Sequence, residues 1–429
     1  MTLPGVEGGR LWRRLMEMAE IGATPGGGVD RQALSEEEWH AWRKLIDWAA
    51  ESGVQPFIDD AGNLFLRLRG EAGGELAPIL IGSHLDSQPR GGRFDGVYGV
   101  LAAVEVLETL SSQMPKRSRD VIAVAWMNEE GSRFAPGMMG SEAFVGARGL
   151  EEIRQVRDAT GISVGAALDE QLAAFSDVPR IAPGFAVHAY VEPHIEQGPL
   201  LERERLTIGT VTGIQGKRTY RISVLGEQGH AGTQVMRERR DALAVFTRLA
   251  SLLHEEIGGY DAEVKFTIGW ILVEPNAPSV VPERVTFSID LRHPCNRTLA
   301  LLGARLVALM KDAASPCAVS VEPLVDAPSN VFDPALQQLI AASAARRGYP
   351  STCLLSAAGH DARHLAKHCP AAMIFIPCRD GVSHAEHEWA EPEHVTAGAN
   401  VLLDTVVALL TSPEVAGLSN VTANPRSLS

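Results

Sequence analysis

Cysteine is scarce in this chain: five residues (Cys295, Cys317, Cys353, Cys369, Cys378) among 429, an odd number with no CxxC pair. That scarcity excludes a disulfide framework and a zinc-finger module, and it fits the reduced thiols of a cytoplasmic protein. Long apolar runs are missing as well; none approaches the roughly 18 residues that span a bilayer, so no membrane association is expected. The opening segment MTLPGVEGGRLWRRL has no apolar stretch of the kind a secretory signal needs. Positive charge is in deficit, with 39 Lys and Arg against 53 Asp and Glu and a net charge of −14. A nucleic-acid partner would call for a basic face or aromatic stacking motifs, and neither is seen. An anionic small substrate stays open, because a few Arg residues can dominate one pocket.

What is present is an ordinary globular composition, 45% hydrophobic and 21% charged, long enough for two or three domains. Ser35 and Glu38 form a capping box before the amphipathic helix WHAWRKLIDWAA. NLFLRLRG alternates like a half-buried strand. PILIGSH and VIAVAWM are short apolar runs ending in polar residues, with the helix VYGVLAAVEVLETL between them. Strands alternating with helices predict a parallel α/β sheet, whose functional groups collect at the carboxyl ends of its strands. From 213 to 330 the order changes to βαββαβ, a ferredoxin-like pattern that folds as its own sandwich. The expected organisation is therefore a discontinuous α/β domain, 1–212 with 331–413, interrupted by an inserted domain, 213–330. Residues 414–429 read as a loosely ordered polar tail.

Metal-type ligands lie where strands end: His84 and Asp86 in GSHLDS, Asp95 in GGRFDGVYG, Glu129 and Glu130 after VIAVAWM, His194 in EPHIEQG, and His384 in DGVSHAEHE. A lone His at a strand end is more often hydrogen-bonded structure than ligand, and an acidic pair is usually solvated. Joint occurrence shifts the balance. The mixture of imidazole and carboxylate suits a divalent ion such as Zn²⁺, Mn²⁺, Co²⁺ or Ni²⁺. A shared carboxylate would allow a second ion, and the Glu129–Glu130 pair offers a ligand and a general base side by side. Asp86 is placed to hold His84 from behind.

GSHLDSQPRGGRFDGVYGV, MNEEGSRFAPGMMGS, EPHIEQGP and GVSHAEHE, in that order, resemble the metal-dependent amidohydrolases of the M20 peptidase superfamily. More narrowly they resemble its hydantoinase/carbamoylase branch of N-carbamoyl-L-amino-acid hydrolases, β-ureidopropionases and allantoate amidohydrolases. The resemblance covers nearly the whole chain. It implies an aminopeptidase-like di-metal catalytic domain with an inserted ferredoxin-like lid that also forms a homodimer. It implies that His84, Asp95 and His194 hold one metal and Asp95, Glu130 and His384 the other, with Asp95 bridging and Glu129 as general base. It also points to a strained or cis peptide at Asp95–Gly96.

On the substrate side, the resemblance makes His230 in GEQGHAGTQ a donor to the oxyanion, a contribution of about 3–4 kcal/mol, acting across the dimer. Asn276 and Arg292 would bind a substrate carboxylate, Arg through its bidentate fork. Gln197 would contact the carbamoyl group or a ligand. Gly359 in AAGHDA belongs to a glycine loop whose N–H groups cradle the carboxylate. The residues leave other readings open: Arg292 could pair with a neighbouring acid, and Asn276 could be a turn residue. The implied activity is hydrolysis of an N-carbamoyl-L-amino acid or N-carbamoyl-β-alanine to amino acid, ammonia and carbon dioxide. Allantoate hydrolysis and an M20 aminoacylase or dipeptidase activity are the alternatives. Asn128, where allantoate enzymes tend to carry Asp, leans toward the carbamoylases.

Overall fold

The computed structural model describes residues 4–411. The chain forms two compact units, one built from residues up to 213 together with those from 331 onward, the other from 214–330.

The first unit is organised by a nine-stranded mixed sheet. Its centre is four mutually parallel strands in the order Val121–Trp126, Ile79–His84, Ala189–Ile195, Ala371–Ile376. All four are buried throughout, which explains why they read as continuous apolar runs rather than alternating ones. Leu64–Leu68 continues the sheet antiparallel beyond Val121–Trp126, and Ile208–Ile214 does so beyond Ala371–Ile376.

The helix Val97–Gln113 is buried from Val97 to Leu110 and packs on the central strands. Its two buried acids are neutralised from the first helix, Gly8–Ala19. Arg10 reaches Glu105 at 2.7 Å and Arg14 reaches Glu108 at 2.7 Å. The helix Pro392–Thr411 is the most apolar long helix among the described residues. By length and composition it could cross a membrane, yet 78% of its most apolar window is buried within the fold. Its apolar residues surround it on all sides because it is a core helix.

The capping box is half made. Ser35 Oγ accepts the Glu38 N–H at 3.3 Å, but Glu38 reaches past Ser35 and accepts the Leu34 N–H at 2.6 Å. Burial pushes that carboxyl up to about 8.

The second unit is a four-stranded antiparallel sheet with a cluster of two helices. Its strands run in the order Ala318–Ala327, Gly216–Leu225, Arg284–His293, Lys265–Glu274. Ile222, Val224, Phe287, Ile289 and Leu291 pack with Val245 and Leu249 of helix Ala242–Leu253 and with Leu302 and Leu306 of helix Asn296–Ala313. The alternation of buried and part-buried residues along Arg284–His293 gives the helices one face. The tail 414–429 lies outside the described residues.

Candidate metal centre

The parallel strands deliver their polar ends to one edge. His84 is the last residue of its strand, opposite Trp126, and His194 lies opposite Phe375. Asp95 follows in the loop before helix Val97–Gln113, Glu129 and Glu130 follow Trp126, and His384 follows Ile376. Two groups of ligand atoms result, each within 4.8 Å: His84, Asp95 and His194, and Asp95, Glu130 and His384. Asp95 belongs to both. Its Oδ1 lies 3.1 Å from His194 Nε2 and 3.6 Å from His84 Nε2, while Oδ2 lies 3.2 Å from His384 Nε2. Glu130 Oε2 is 3.4 Å from His384 Nε2.

The ring orientations fit a metal. His84 Nδ1–H donates to the Asp86 carbonyl at 3.0 Å, and His194 Nδ1–H donates to the Ile195 carbonyl at 2.9 Å. Each bond fixes the tautomer and turns Nε2 toward Asp95, where His194 Nε2 also accepts the Gly96 N–H at 3.2 Å. The charges fit as well. Burial works against a charged Asp95, but the imidazoles of His194 and His384 hold its carboxyl well below the usual range. Burial, with Asp95 adding to it, pushes Glu130 up to about 7. Asp95, aided by Glu130, holds His384 up at about 9. Burial, only partly offset by His84, raises Glu129 well above its ordinary value. Crowded carboxylates of this kind hold protons where a cation would otherwise sit. The residues present therefore suit two divalent ions sharing Asp95.

Glu129 stands beside the clusters without belonging to either, its Oε2 3.6 Å from His84 Nε2. Asp86 does more than support His84. Its carboxylate accepts the Glu129 N–H at 3.2 Å and the Glu130 N–H at 3.1 Å, while His84 is held by the Asp86 backbone carbonyl. Gln197 Nε2 donates to Asp95 Oδ2 at 2.7 Å.

The Asp95–Gly96 bond is not among the cis peptides, which precede Pro136, Pro275 and Pro316. The unusual geometry lies in Gly96 itself, at φ 66°, ψ −51°, with the Val97 N–H bonded to the Asp95 carbonyl at 2.7 Å. That is a tight γ-turn, a strained form that glycine tolerates. A side chain there would meet the His84 ring at 2.3 Å.

Gly359 carries no such demand, since a Cβ would meet only the Met138 thioether, at 3.4 Å. The neighbouring His360 packs edge-on against His194, with ring centroids 4.5 Å apart, and bonds Ser356 Oγ at 3.0 Å.

His230, Asn276 and Arg292 belong to the second unit. His230 is exposed on a two-residue strand paired with Val280–Val281. Its Nδ1 accepts the Gly232 N–H at 3.0 Å, which leaves Nε2–H as a donor. Asn276 is an exposed loop residue at φ 54°. Arg292 is paired with Asp290, through Nε at 2.8 Å and Nη2 at 3.1 Å.

Sequence reasoning missed Glu388 and Ser383. Glu388 is 1% exposed; its Oε1 accepts the Phe94 N–H at 2.9 Å and the Asp95 N–H at 3.1 Å. Ser383 Oγ lies 2.7 Å from Asp95 Oδ2 and 2.9 Å from Glu388 Oε2. Both stand inside GVSHAEHE, and an acid four residues beyond a ligand His was the available signal.

Comparison with known proteins gives the family. Residues 80–408 match the Peptidase family M20/M25/M40. The chain is 36% identical over 420 residues to an N-carbamoyl-L-amino-acid amidohydrolase of Rhizobium meliloti, covering 95% of this chain and 98% of the relative. It is 37% identical over 407 residues to one from Geobacillus stearothermophilus, covering 94% and 98%. An allantoate amidohydrolase of Bacillus subtilis is 33% identical over 396 residues, covering 91% and 95%. The crystal structure of a hydantoinase/carbamoylase family amidase from Burkholderia multivorans superposes with a TM-score of 0.85 at 42% identity, covering 95% and 98%. The chain belongs to the M20 peptidase superfamily, in its hydantoinase/carbamoylase branch.

Proposed function

We propose that this M20 hydrolase cleaves the carbamoyl C–N bond of an N-carbamoyl-L-amino acid or N-carbamoyl-β-alanine. The observation that carries the reading is Asp95 shared between two ligand clusters with Glu129 alongside. The relatives named as N-carbamoyl-L-amino-acid amidohydrolases support it. One water is consumed and one C–N bond is broken; the carbamate released on the other side falls apart to ammonia and carbon dioxide.

Two divalent ions at the paired clusters would supply Lewis acidity toward the ureido carbonyl and the attacking water. Glu129 takes the water's proton and passes it to the departing nitrogen, a task its raised proton affinity favours. Asp86 holds the Glu129 peptide in place for both transfers. His230 offers Nε2–H to the developing oxyanion, from the ferredoxin-like lid of a partner subunit in a cytoplasmic homodimer. Arg292, Asn276 and the Gly359 N–H receive the substrate carboxylate, and Gln197 orients both Asp95 and the carbamoyl group. Arg292 exchanges part of its Asp290 contact for the substrate.

Allantoate is the second reading, supported by the Bacillus subtilis relative. Asn128 does not decide between the two. It sits buried at φ 54°, with its amide donating to the Phe134 carbonyl at 2.8 Å, so a turn accounts for it. Asn takes that conformation more readily than most residues.

The test is ammonia release. Protein stripped of metal is reloaded separately with Mn²⁺, Co²⁺, Ni²⁺ or Zn²⁺ and given N-carbamoyl-L-amino acids, N-carbamoyl-β-alanine and allantoate. Metal-dependent ammonia from a carbamoyl substrate supports the proposal. Ammonia from allantoate alone moves the assignment to the second reading. Silence with full metal occupancy overturns both and points to N-acyl or dipeptide substrates.

A further inference from the structure

The loop carrying His384 is the least buried part of the centre. His384 is half exposed and sits at φ 55°, so neither packing nor a favoured backbone conformation holds it. Two acids on the same loop tie it down. Glu386 is the outer tie, accepting from Thr24 Oγ1 at 2.6 Å and from Arg90 Nη2 at 2.6 Å. Glu388 is the inner one. Its carboxylate spans the Phe94 and Asp95 N–H groups on one oxygen and Ser383 Oγ on the other. Gly92 lies flat against it; a Cβ there would sit 2.0 Å from the carboxylate.

One side chain therefore fixes the distance between Asp95 and the residue preceding His384. Asp95 and His384 both belong to the second ligand cluster, and Ser383 adjoins His384 in the chain. Among the described residues, Glu388 hydrogen-bonds Phe94, Asp95 and Ser383, and of the first cluster it reaches Asp95.

We infer that Glu388 is a positioning residue that sets the affinity of the Asp95, Glu130 and His384 site for its metal, selectively over the His84, Asp95 and His194 site. It acts by reach and not by charge: both its oxygens are engaged as spacers between two chain segments. The inference rests on the di-metal reading of the centre.

Reach and charge are separated by two substitutions. Glu388→Asp keeps the charge and shortens the side chain by one methylene, so it cannot hold Asp95 and Ser383 together. Glu388→Gln drops the charge and keeps the reach, with one oxygen for the two N–H groups and an amide to donate to Ser383. Metal-stripped wild type and variants are titrated with Zn²⁺ by calorimetry, and retained zinc is counted after gel filtration. The glycine packing leaves room for both side chains, and circular dichroism checks folding.

Wild type should take up two equivalents. Glu388→Asp should keep one at wild-type affinity and bind the second about 10–100-fold more weakly, the usual effect of disturbing a residue that orients a ligand. Glu388→Gln should hold both near wild-type affinity. Equal weakening of both sites in Glu388→Asp, or loss of the second in Glu388→Gln with retention in Glu388→Asp, overturns the inference. A Glu386→Gln variant that loses the second equivalent as severely as Glu388→Asp also overturns it, since loop anchoring in general would then be the cause. Fewer than two equivalents in wild type would instead refute the di-metal reading itself.

Discussion

Asp86 and Glu129 are joined by a backbone bond: the Asp86 carboxylate accepts the Glu129 N–H at 3.2 Å and, through its other oxygen, the next N–H at 3.1 Å. Asp86 is fully buried, so no water can replace it there. Asp86→Ala should leave two buried donors unpaired, at about 1–3 kcal/mol each. Urea unfolding should show that loss, and metal affinity should fall by roughly 10–100-fold because the ligand Glu130 loses the carboxylate that holds its N–H. A variant with unchanged stability and metal content would show that the bond is dispensable.

Glu129 lies next to the ligands without joining them. Glu129→Gln should therefore retain both ions while turnover drops by about 10²–10⁴, the range of a lost general base. Elemental analysis alongside ammonia assays measures the two separately. Loss of an ion together with activity would make Glu129 a ligand instead.

Gly96 has a left-handed φ of 66° and lies against the His84 ring. Gly96→Ala combines backbone strain of about 1–3 kcal/mol with displacement of a ligand. The expected result is a lower Tm and loss of the ion held by His84. A variant that keeps two ions would mean the turn can relax.

The metal-free protein should lose stability as pH rises. Glu130 is raised from 4.5 to about 7 and His384 from 6.5 to about 9, so the folded state holds protons that the unfolded chain has released. Their stabilising effect is complete below those unfolded values and disappears as pH climbs through about 7 and then about 9. Metal takes the place of the protons. The Tm gap between loaded and stripped protein should therefore widen with rising pH, and loading should release protons, as read by calorimetry in buffers of different ionisation enthalpy. A constant gap would contradict the assigned ligands.

Much of this was legible in the sequence for one physical reason: buried parallel strands read as unbroken apolar runs, and polar residues at their ends have nowhere to go but the sheet edge. His84, Asp95, Glu130, His194 and His384 all fit that grammar. Glu388 did not, because two of its partners are backbone N–H groups of a distant turn, which leave no trace in sequence, and its place four residues past a ligand His was the one signal. The Arg292–Asp290 pair was half visible. Residues two apart on a strand share a face, yet the same spacing suits a free Arg awaiting substrate. At Asp95–Gly96 the cis alternative is not met, and the strain lies in the φ and ψ of Gly96. Helix Pro392–Thr411 passes a membrane test by composition, and only packing shows it as core.

His84 and His384 are 300 positions apart, and residues 214–330, a separate compact unit, are threaded between them. No contiguous stretch of the chain contains a complete ion site for the second cluster. During synthesis, Asp95 and Glu130 must wait for the entire inserted unit to emerge before His384 joins them. Capture of the second ion is thus an event that follows the emergence of the whole inserted unit. A nascent chain that stops before His384 would carry the general base without the full pair of ions, and so would be silent as a hydrolase.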